Sequence, residues 1–297
     1  TSGFTTAVES IVSPKRPHLI ISTLLFVFFI ISFRIHSTLY TIMSNWIKFR
    51  NNNLDAFGII TGSVVDVYEG DMFNNPSKTD IKLDLKDVIV TNPCQPTKMI
   101  ALWNNYESLA TEKGLSKPNN PLYLNKAISC IIEQGENIIR PKNYDESIFF
   151  EGELGIVIGK TCKEVSASEA SKYIFGYTCI NDVTAMDLVK KDPTFDQWTR
   201  SKSYDTFGIF GPCISTNIDP MTLEITTTVD GEVKQNYKTS DMFFDVFEIV
   251  SFLSHDMTLN PGDIIACGTN SGLGPMTSGQ IVTVNVSSIG EVTNKLV

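Results

Sequence analysis

Glu151-Gly152-Glu153, set in the run Ile148-Phe149-Phe150-Glu151-Gly152-Glu153-Leu154-Gly155-Ile156-Val157-Ile158, constrains this chain more than any other feature. Its flanks are β-branched and aromatic, so the segment reads as a buried strand, in which side chains two apart point to the same face. Both carboxylates then project together from an apolar background, where an unpaired charge is heavily penalised. An isolated E-x-E on an edge strand needs no partner, because its polar face is wet. These flanks are too apolar for an edge, which favours a bound cation.

A third carboxylate follows. Gly176-Tyr177-Thr178-Cys179-Ile180-Asn181-Asp182 reads as a strand that ends in an acid just before a helix. Taken alone, Asp182 fits a helix cap as well as a ligand. Together with Glu151 and Glu153 it makes three hard oxygen donors without histidine or thiolate, a set suited to Mg2+ or Mn2+ and poorly suited to zinc.

Composition sets the frame. With 297 residues, 42% hydrophobic and 19% charged, the chain can bury a large core as a main domain plus a small lobe. The net charge of −9 argues against nucleic acid or an anionic membrane surface as partner. Six cysteines, at 94, 130, 162, 179, 213 and 267, lack any C-x-x-C spacing, and several lie in apolar runs. They read as small buried thiols in a reducing compartment, so a cytoplasmic location is expected.

Residues 1–42 differ from the rest. Leu19 to Phe33 is uninterrupted by charge and follows Lys15 and Arg16. Fifteen helical residues span about 22 Å, short of the roughly 30 Å hydrocarbon core. The segment fits a non-native extension before a start at Met43, a membrane anchor, or a signal h-region. The first is favoured, and a membrane or organelle association is expected only if this leader is retained. Residues 43–93 are expected to form a small N-terminal β lobe, and 94–297 the main domain, with the boundary at Pro93-Cys94-Gln95-Pro96.

Short strands dominate after Met43. Phe57–Ile60 and Ser63–Val67 flank Thr61-Gly62 as a hairpin, and Asp230-Gly231 marks a second. Asn74 to Thr79, rich in Pro, Asn and Lys, reads as a connection. Three helices are expected. One is opened by a Ser166/Glu169 capping box and runs through Tyr173-Ile174-Phe175; one spans Thr184 to Lys191; one is opened by Asp245 and Glu248. The fold class is therefore α+β and strand-dominated.

From about Met43 to Val297, with the three acids at its centre, the chain resembles the fumarylacetoacetate hydrolase superfamily. The resemblance is carried by Phe150-Glu151-Gly152-Glu153-Leu154, Val157-Ile158-Gly159-Lys160, and Phe175-Gly176-Tyr177 through Asn181-Asp182-Val183-Thr184-Ala185. Gln197 to Phe207, Gly211-Pro212, Leu259-Asn260-Pro261-Gly262-Asp263-Ile264-Ile265 and Gly268-Thr269-Asn270-Ser271-Gly272-Leu273-Gly274 continue it in order. It implies a mixed β-roll or sandwich, usually in a homodimer. It also implies one divalent metal on Glu151, Glu153 and Asp182: Mg2+, with Mn2+ or Ca2+ as alternatives. Members act on 2-oxo or 1,3-dicarbonyl acids by C–C hydrolysis, decarboxylation, isomerisation or hydration, through an enolate that the cation stabilises.

The same resemblance makes Lys202 the active-site lysine, Thr269 the contact to the substrate's carboxylate or carbonyl, and Lys126 a substrate-side lysine. C–C hydrolysis is the leading expectation. Isomerisation or hydration of 2-oxo-enoic acids, decarboxylation, and a non-catalytic oxo-acid binder are the alternatives. Two departures bear on that order, and the one in the lid weakens hydrolysis or decarboxylation relative to isomerisation or hydration. Met186, Asp187 and Val189 stand where many members carry Arg, Asp and Gln, so an arginine clamp is missing. In the lid segment Asn105-Tyr106-Glu107-Ser108-Leu109-Ala110-Thr111-Glu112, Leu109 replaces the histidine of hydrolytic members. Glu112 remains as a base, provided that desolvation raises its pKa. His255, at a helix end, reads as structural.

Overall fold

Alternating and continuous apolar runs leave this chain little choice but sheet, and the computed structural model, which describes residues 43–52 and 54–297, is built from twenty strands. The expectations for residues 1–42 lie outside the described residues. In chain order the first strands are β1 (Ser44–Asn51), β2 (Leu54–Thr61), β3 (Val64–Asp71), β4 (Asn74–Asp84), β5 (Ile89–Thr91), β6 (Met99–Trp103) and β7 (Leu122–Lys126). Short β8 (Ile131–Ile132), β9 (Asn137–Ile138) and β10 (Ile148–Phe150) lead to β11 (Gly152–Ile158), β12 (Ile174–Asp182), β13 (Thr184–Ala185) and β14 (Gly208–Thr216). The chain closes with β15 (Glu224–Val229), β16 (Glu232–Lys238), β17 (Ile264–Ala266), β18 (Gly274–Met276), β19 (Ile281–Val286) and β20 (Gly290–Leu296).

One large mixed sheet runs β4-β3-β2-β1-β14-β12-β11-β17-β6-β7, so the N-terminal strands are continuous with the strands that carry the acidic residues. A second sheet, β16-β15-β19-β20-β9, packs on its centre, with β15 and β19 against β11 and with β20 against β12 and β14. Leu154, Ile156 and Cys179 meet Val282, Val284 and Val292 there. Across the large sheet, Val157, Ile180, Phe210 and Ile264 form a separate apolar cluster. Strand β11 is therefore buried on both faces at every residue, which is why its sequence is continuously apolar rather than alternating.

Both expected hairpins form. The helix opened by Asp245 forms over Val246–Asp256, with the capping box closed by Glu248. Three expectations fail. Ser166 makes no side-chain cap, its helix is the single turn Ala167–Ala170, and Ile174-Phe175 begin β12 instead. Thr184 to Lys191 is a two-residue strand followed by a 3-10 turn, Met186–Leu188. Asn74 to Thr79 is the start of β4 rather than a loop; Pro76 is tolerated because β4 is an edge, where a missing N–H leaves no ladder partner unmet. Among the described residues no helix is long and apolar enough to cross a membrane.

Candidate functional site

Register brings the acids together. In the antiparallel pair of β11 and β12, Gly152 lies opposite Asn181 and Glu153 opposite Ile180. One step further places Glu151 beside Asp182, whose amide donates to the Glu151 carbonyl at 2.9 Å. Residues 151 and 153 share a face by the period of two, and Asp182 joins them from the neighbouring strand. One oxygen from each of the three carboxylates lies within 4.8 Å of the others. Glu153 and Asp182 are fully buried and Glu151 is 6% exposed.

Two lysines are built into this cluster. Lys202, at the end of the five-residue helix Trp198–Lys202, donates to Glu151 Oε2 at 2.8 Å, Asp182 Oδ2 at 2.6 Å and Thr184 Oγ1 at 2.7 Å. Lys126, the last residue of β7, donates to Asp182 Oδ1 and to the Phe207 carbonyl at 3.0 Å. Burial alone would raise the Asp182 pKa, but the two ammonium groups outweigh it and hold Asp182 below its ordinary value. Burial would likewise lower Lys202; Asp182 and Glu151 reverse that and keep it protonated. Glu151 is raised by burial despite Lys202. Glu153 is raised well above the carboxylate range, by burial first and then by the charge of Asp182.

Three carboxylates face two ammonium groups, and the imbalance falls on Glu153. Its Oε2 accepts from the Gly268 amide at 2.7 Å, whereas its Oε1 is buried without a hydrogen-bond partner. An orphaned carboxyl oxygen beside two other acids is an oxygen donor set that a cation would complete, and without one burial and Asp182 hold Glu153 toward its neutral form. The residues present fit a hard divalent cation held by Glu151, Glu153 and Asp182, with oxygen donors only.

The other face of the Gly152 peptide is held by side chains. Gly152 N–H donates to Gln235 Oε1 at 3.0 Å, and Gly152 C=O accepts from Tyr237 and, at 3.0 Å, from Thr269 Oγ1. A Cβ at residue 152 would collide with Thr227 Oγ1, so only glycine lets the second sheet approach the acidic strand this closely. Asn270, beside Thr269, accepts from the Leu109 amide at 3.0 Å and donates to Asp241, which itself accepts from the Ser108 amide at 3.1 Å. These contacts cap the first turn of the short helix Glu107–Glu112 from outside, since its own N-cap residue Tyr106 supplies no side-chain bond.

Of the residues singled out from the sequence, Glu151, Glu153, Asp182, Lys202 and Lys126 converge, and Thr269 adjoins them through Gly152. Lys126 is placed behind Asp182 with its ammonium engaged by protein acceptors. Glu112 ends its helix exposed to solvent, so the desolvation that a base there requires is not met in this arrangement. His255 lies exposed on the helix Val246–Asp256, hydrogen-bonded to the Ser251 carbonyl. Sequence reasoning missed Gln235, Tyr237, Asn270 and Thr184. The usable signal was a glutamine and a tyrosine two apart in a strand after Asp230-Gly231.

A family model described as fumarylacetoacetate (FAA) hydrolase C-terminal matches residues 98–297, and one described as Rv2993c-like, N-terminal matches residues 45–91. An uncharacterised protein of Methanocaldococcus jannaschii is 44% identical over 214 residues, covering 72% of this chain and 89% of the relative. The 4-hydroxyphenylacetate degradation bifunctional isomerase/decarboxylase of Salmonella dublin is 36% identical over 202 residues, 67% of this chain and 46% of that protein. Among solved structures, 2-hydroxyhepta-2,4-diene-1,7-dioate isomerase from Mycobacterium marinum superposes with a TM-score of 0.78 at 37% identity, covering 86% of this chain and 98% of the other.

Proposed function

The chain belongs to the fumarylacetoacetate hydrolase superfamily, and from that premise we propose that it is a Mg2+-dependent enzyme that isomerises 2-oxo-enoic acids by way of their enol. The observation that carries this is the orphaned Glu153 Oε1 within reach of Glu151 and Asp182, beside a protonated Lys202. The cation, when bound, supplies Lewis-acid polarisation of a chelating 2-oxo carboxylate. Lys202 holds its positive charge beside the acids where negative charge develops on the keto oxygen; its three N–H groups are engaged by Glu151, Asp182 and Thr184, so a direct hydrogen bond to substrate needs one of them released. Lys126 keeps Asp182 ionised and oriented. Thr269 offers its hydroxyl to the substrate's carboxylate.

Isomerisation is preferred over C–C hydrolysis because it only exchanges an acidic enol or carbon-bound proton with solvent water, whereas hydrolysis also needs a base poised on an attacking water. Leu109 has no proton-accepting group, Glu112 is in solvent, and His255, the one histidine among the described residues, lies exposed on its helix with its ring bonded to the Ser251 carbonyl. Decarboxylation, which also needs no activated water, is the second reading, and the name of the Salmonella relative favours it. The full chain is to be incubated with a 2-hydroxy-dienoate, oxaloacetate and an acylpyruvate while the enol absorbance is followed, with Mg2+ or with EDTA. Mg2+-dependent interconversion of the dienoate is expected. Turnover of the acylpyruvate alone would replace isomerisation by hydrolysis, and loss of no activity in EDTA would overturn the metal role.

A further inference from the structure

Strand β17 runs beside β11 only from Gly155 to Val157, and the last backbone bond from that side is Cys267 N–H to the Leu154 carbonyl. Gly268, with φ +91°, then turns the chain away. The edge of β11 at Gly152, between two of the acidic residues, is thus left without a strand neighbour. Both polar groups of that peptide are buried and need partners. They find them in side chains: Gln235 takes the N–H, and Tyr237 with Thr269 takes the C=O.

Gln235 does more than fill the gap. It is 1% exposed, and its amide is used at both ends. Nε2 donates to Thr269 Oγ1 at 2.9 Å and to the Asn270 carbonyl at 2.9 Å. The amide has one workable orientation, because Gly152 N–H can only donate and Asn270 C=O can only accept. A bulge in β16 aims it: Thr227 lies opposite Gln235 and Thr228 opposite Val233, which leaves Lys234 as the extra residue and turns Gln235 and Tyr237 inward. The Lys234 carbonyl in turn sits where a Cβ on Gly272 would be, so the bulge is locked against the loop that carries Thr269 and Asn270.

Thr269 Oγ1 accepts from Gln235 and sends its own proton to Gly152 C=O, a carbonyl that Tyr237 already satisfies. That proton can therefore turn toward an incoming oxygen without leaving a buried carbonyl unmet, while Gln235 fixes the oxygen about which it turns.

We propose that Gln235 is a positioning residue: its Oε1 end sets the peptide between Glu151 and Glu153, and its Nε2 end sets the Thr269 hydroxyl that meets the ligand. This rests on the reading of the three acids as a divalent-cation site. Two isosteric substitutions separate the two ends. Gln235→Met loses both, and Gln235→Glu in its ionised form still accepts from Gly152 but cannot donate to Thr269 or Asn270.

The probes are Mg2+ alone and then oxalate, a planar chelator shaped like the 2-oxo carboxylate, titrated by calorimetry into the full chain. For Gln235→Met, both dissociation constants are expected to rise about tenfold, as when a partner that orients a metal ligand is removed. For Gln235→Glu, the Mg2+ constant stays at or below the wild-type value, since the added charge favours the cation, while the oxalate constant rises. A general loosening of the second sheet would instead weaken Mg2+ in both Gln235 variants. Wild-type constants for Gln235→Met, or a Mg2+ loss in Gln235→Glu, overturn the proposal. If Gln235→Met does not fold, Gln235→Glu decides alone by the same criterion. Failure of the unmutated chain to bind Mg2+ removes the cation-site reading itself, a result distinct from these.

Discussion

Among the described residues the same charge pattern occurs twice, an aspartate between two lysines, in two very different settings. On β3, Asp66 faces Lys78 at 2.9 Å and Lys82 at 3.6 Å from the neighbouring strand β4. Under the central sheet, Asp182 faces Lys126 and, at 2.6 Å, Lys202. The lysines of the first trio are 49% and 67% exposed, whereas those of the second are 0% and 3% exposed. In both trios the aspartate is held below its ordinary pKa. At Asp66 the leading cause is the hydrogen bond from Lys78, with water screening the rest. At Asp182 burial opposes ionisation and is outweighed only because two cations share one carboxylate. The same residue types thus make a clamp of exposed lysines over a largely buried aspartate in one place and a fully enclosed charge balance in the other.

Breaking the buried trio should have the largest effect. Lys202→Met leaves Glu151 and Asp182 facing each other in the core without the cation that now lies between them. Removing one member of a buried pair costs about 3–5 kcal/mol. Denaturant unfolding of the variant in EDTA is expected to show a loss of that size, and Mg2+ should restore a larger share of stability to the variant than it adds to the wild type. An equal response of both proteins to Mg2+ would mean that Lys202 and the cation do not balance the same charges.

Next in size is the effect of metal on the wild type. A ligand that binds only the folded state stabilises it by about 2.7 kcal/mol at a concentration one hundred times its Kd. Thermal unfolding with Mg2+ in place of EDTA should rise accordingly, and Mg2+ should leave an Asp66→Asn variant's response unchanged. A cation effect of the same size in a Glu153→Gln variant would contradict the assignment of Glu153 as a ligand, because the orphaned oxygen it supplies would be gone.

The contrast between the two trios also separates what the sequence makes legible from what it hides. Glu151 and Glu153 were readable because strand period and apolar flanks suffice to put two acids on one buried face. Asp182 was readable as a strand end, but its pairing with Glu151 depends on register, which no local pattern specifies. Lys126 lies 56 residues from Asp182, and only the fold brings it behind that carboxylate. Ser166 and Glu169 had the spacing of a capping box, yet β12 takes up the chain after one turn, so local propensity lost to sheet pairing. Gln235 looked like an ordinary polar strand residue, because the bulge that turns it inward is set by contact with the 268–274 loop. Asp66 and its lysines carried no motif at all, as expected for a clamp whose contribution is small.

The smallest predicted effect is therefore at Asp66, and it has a definite sign in pH. The Asp66 pKa is lowered from 3.8 in the folded state, chiefly by Lys78. The folded protein thus binds this proton less readily than the unfolded chain does. The stability contributed by the pair is fully present above pH 3.8 and is lost as pH falls through the lower folded value. Lys78 is raised above 10.5 by the same contact, so at the alkaline end the contribution persists below that pH and fades as pH rises through the higher folded value. The stability difference between wild type and Asp66→Asn should accordingly stay level between those limits and shrink outside them. With both lysines well exposed, the level part should also decline as salt is raised, because charges at the surface are screened over about 10 Å at 0.1 M. The buried trio, closed off from solvent ions, should keep its Lys202→Met difference under the same salt series in EDTA. Equal salt sensitivity of the two differences would show that solvent reaches Asp182 as freely as it reaches Asp66.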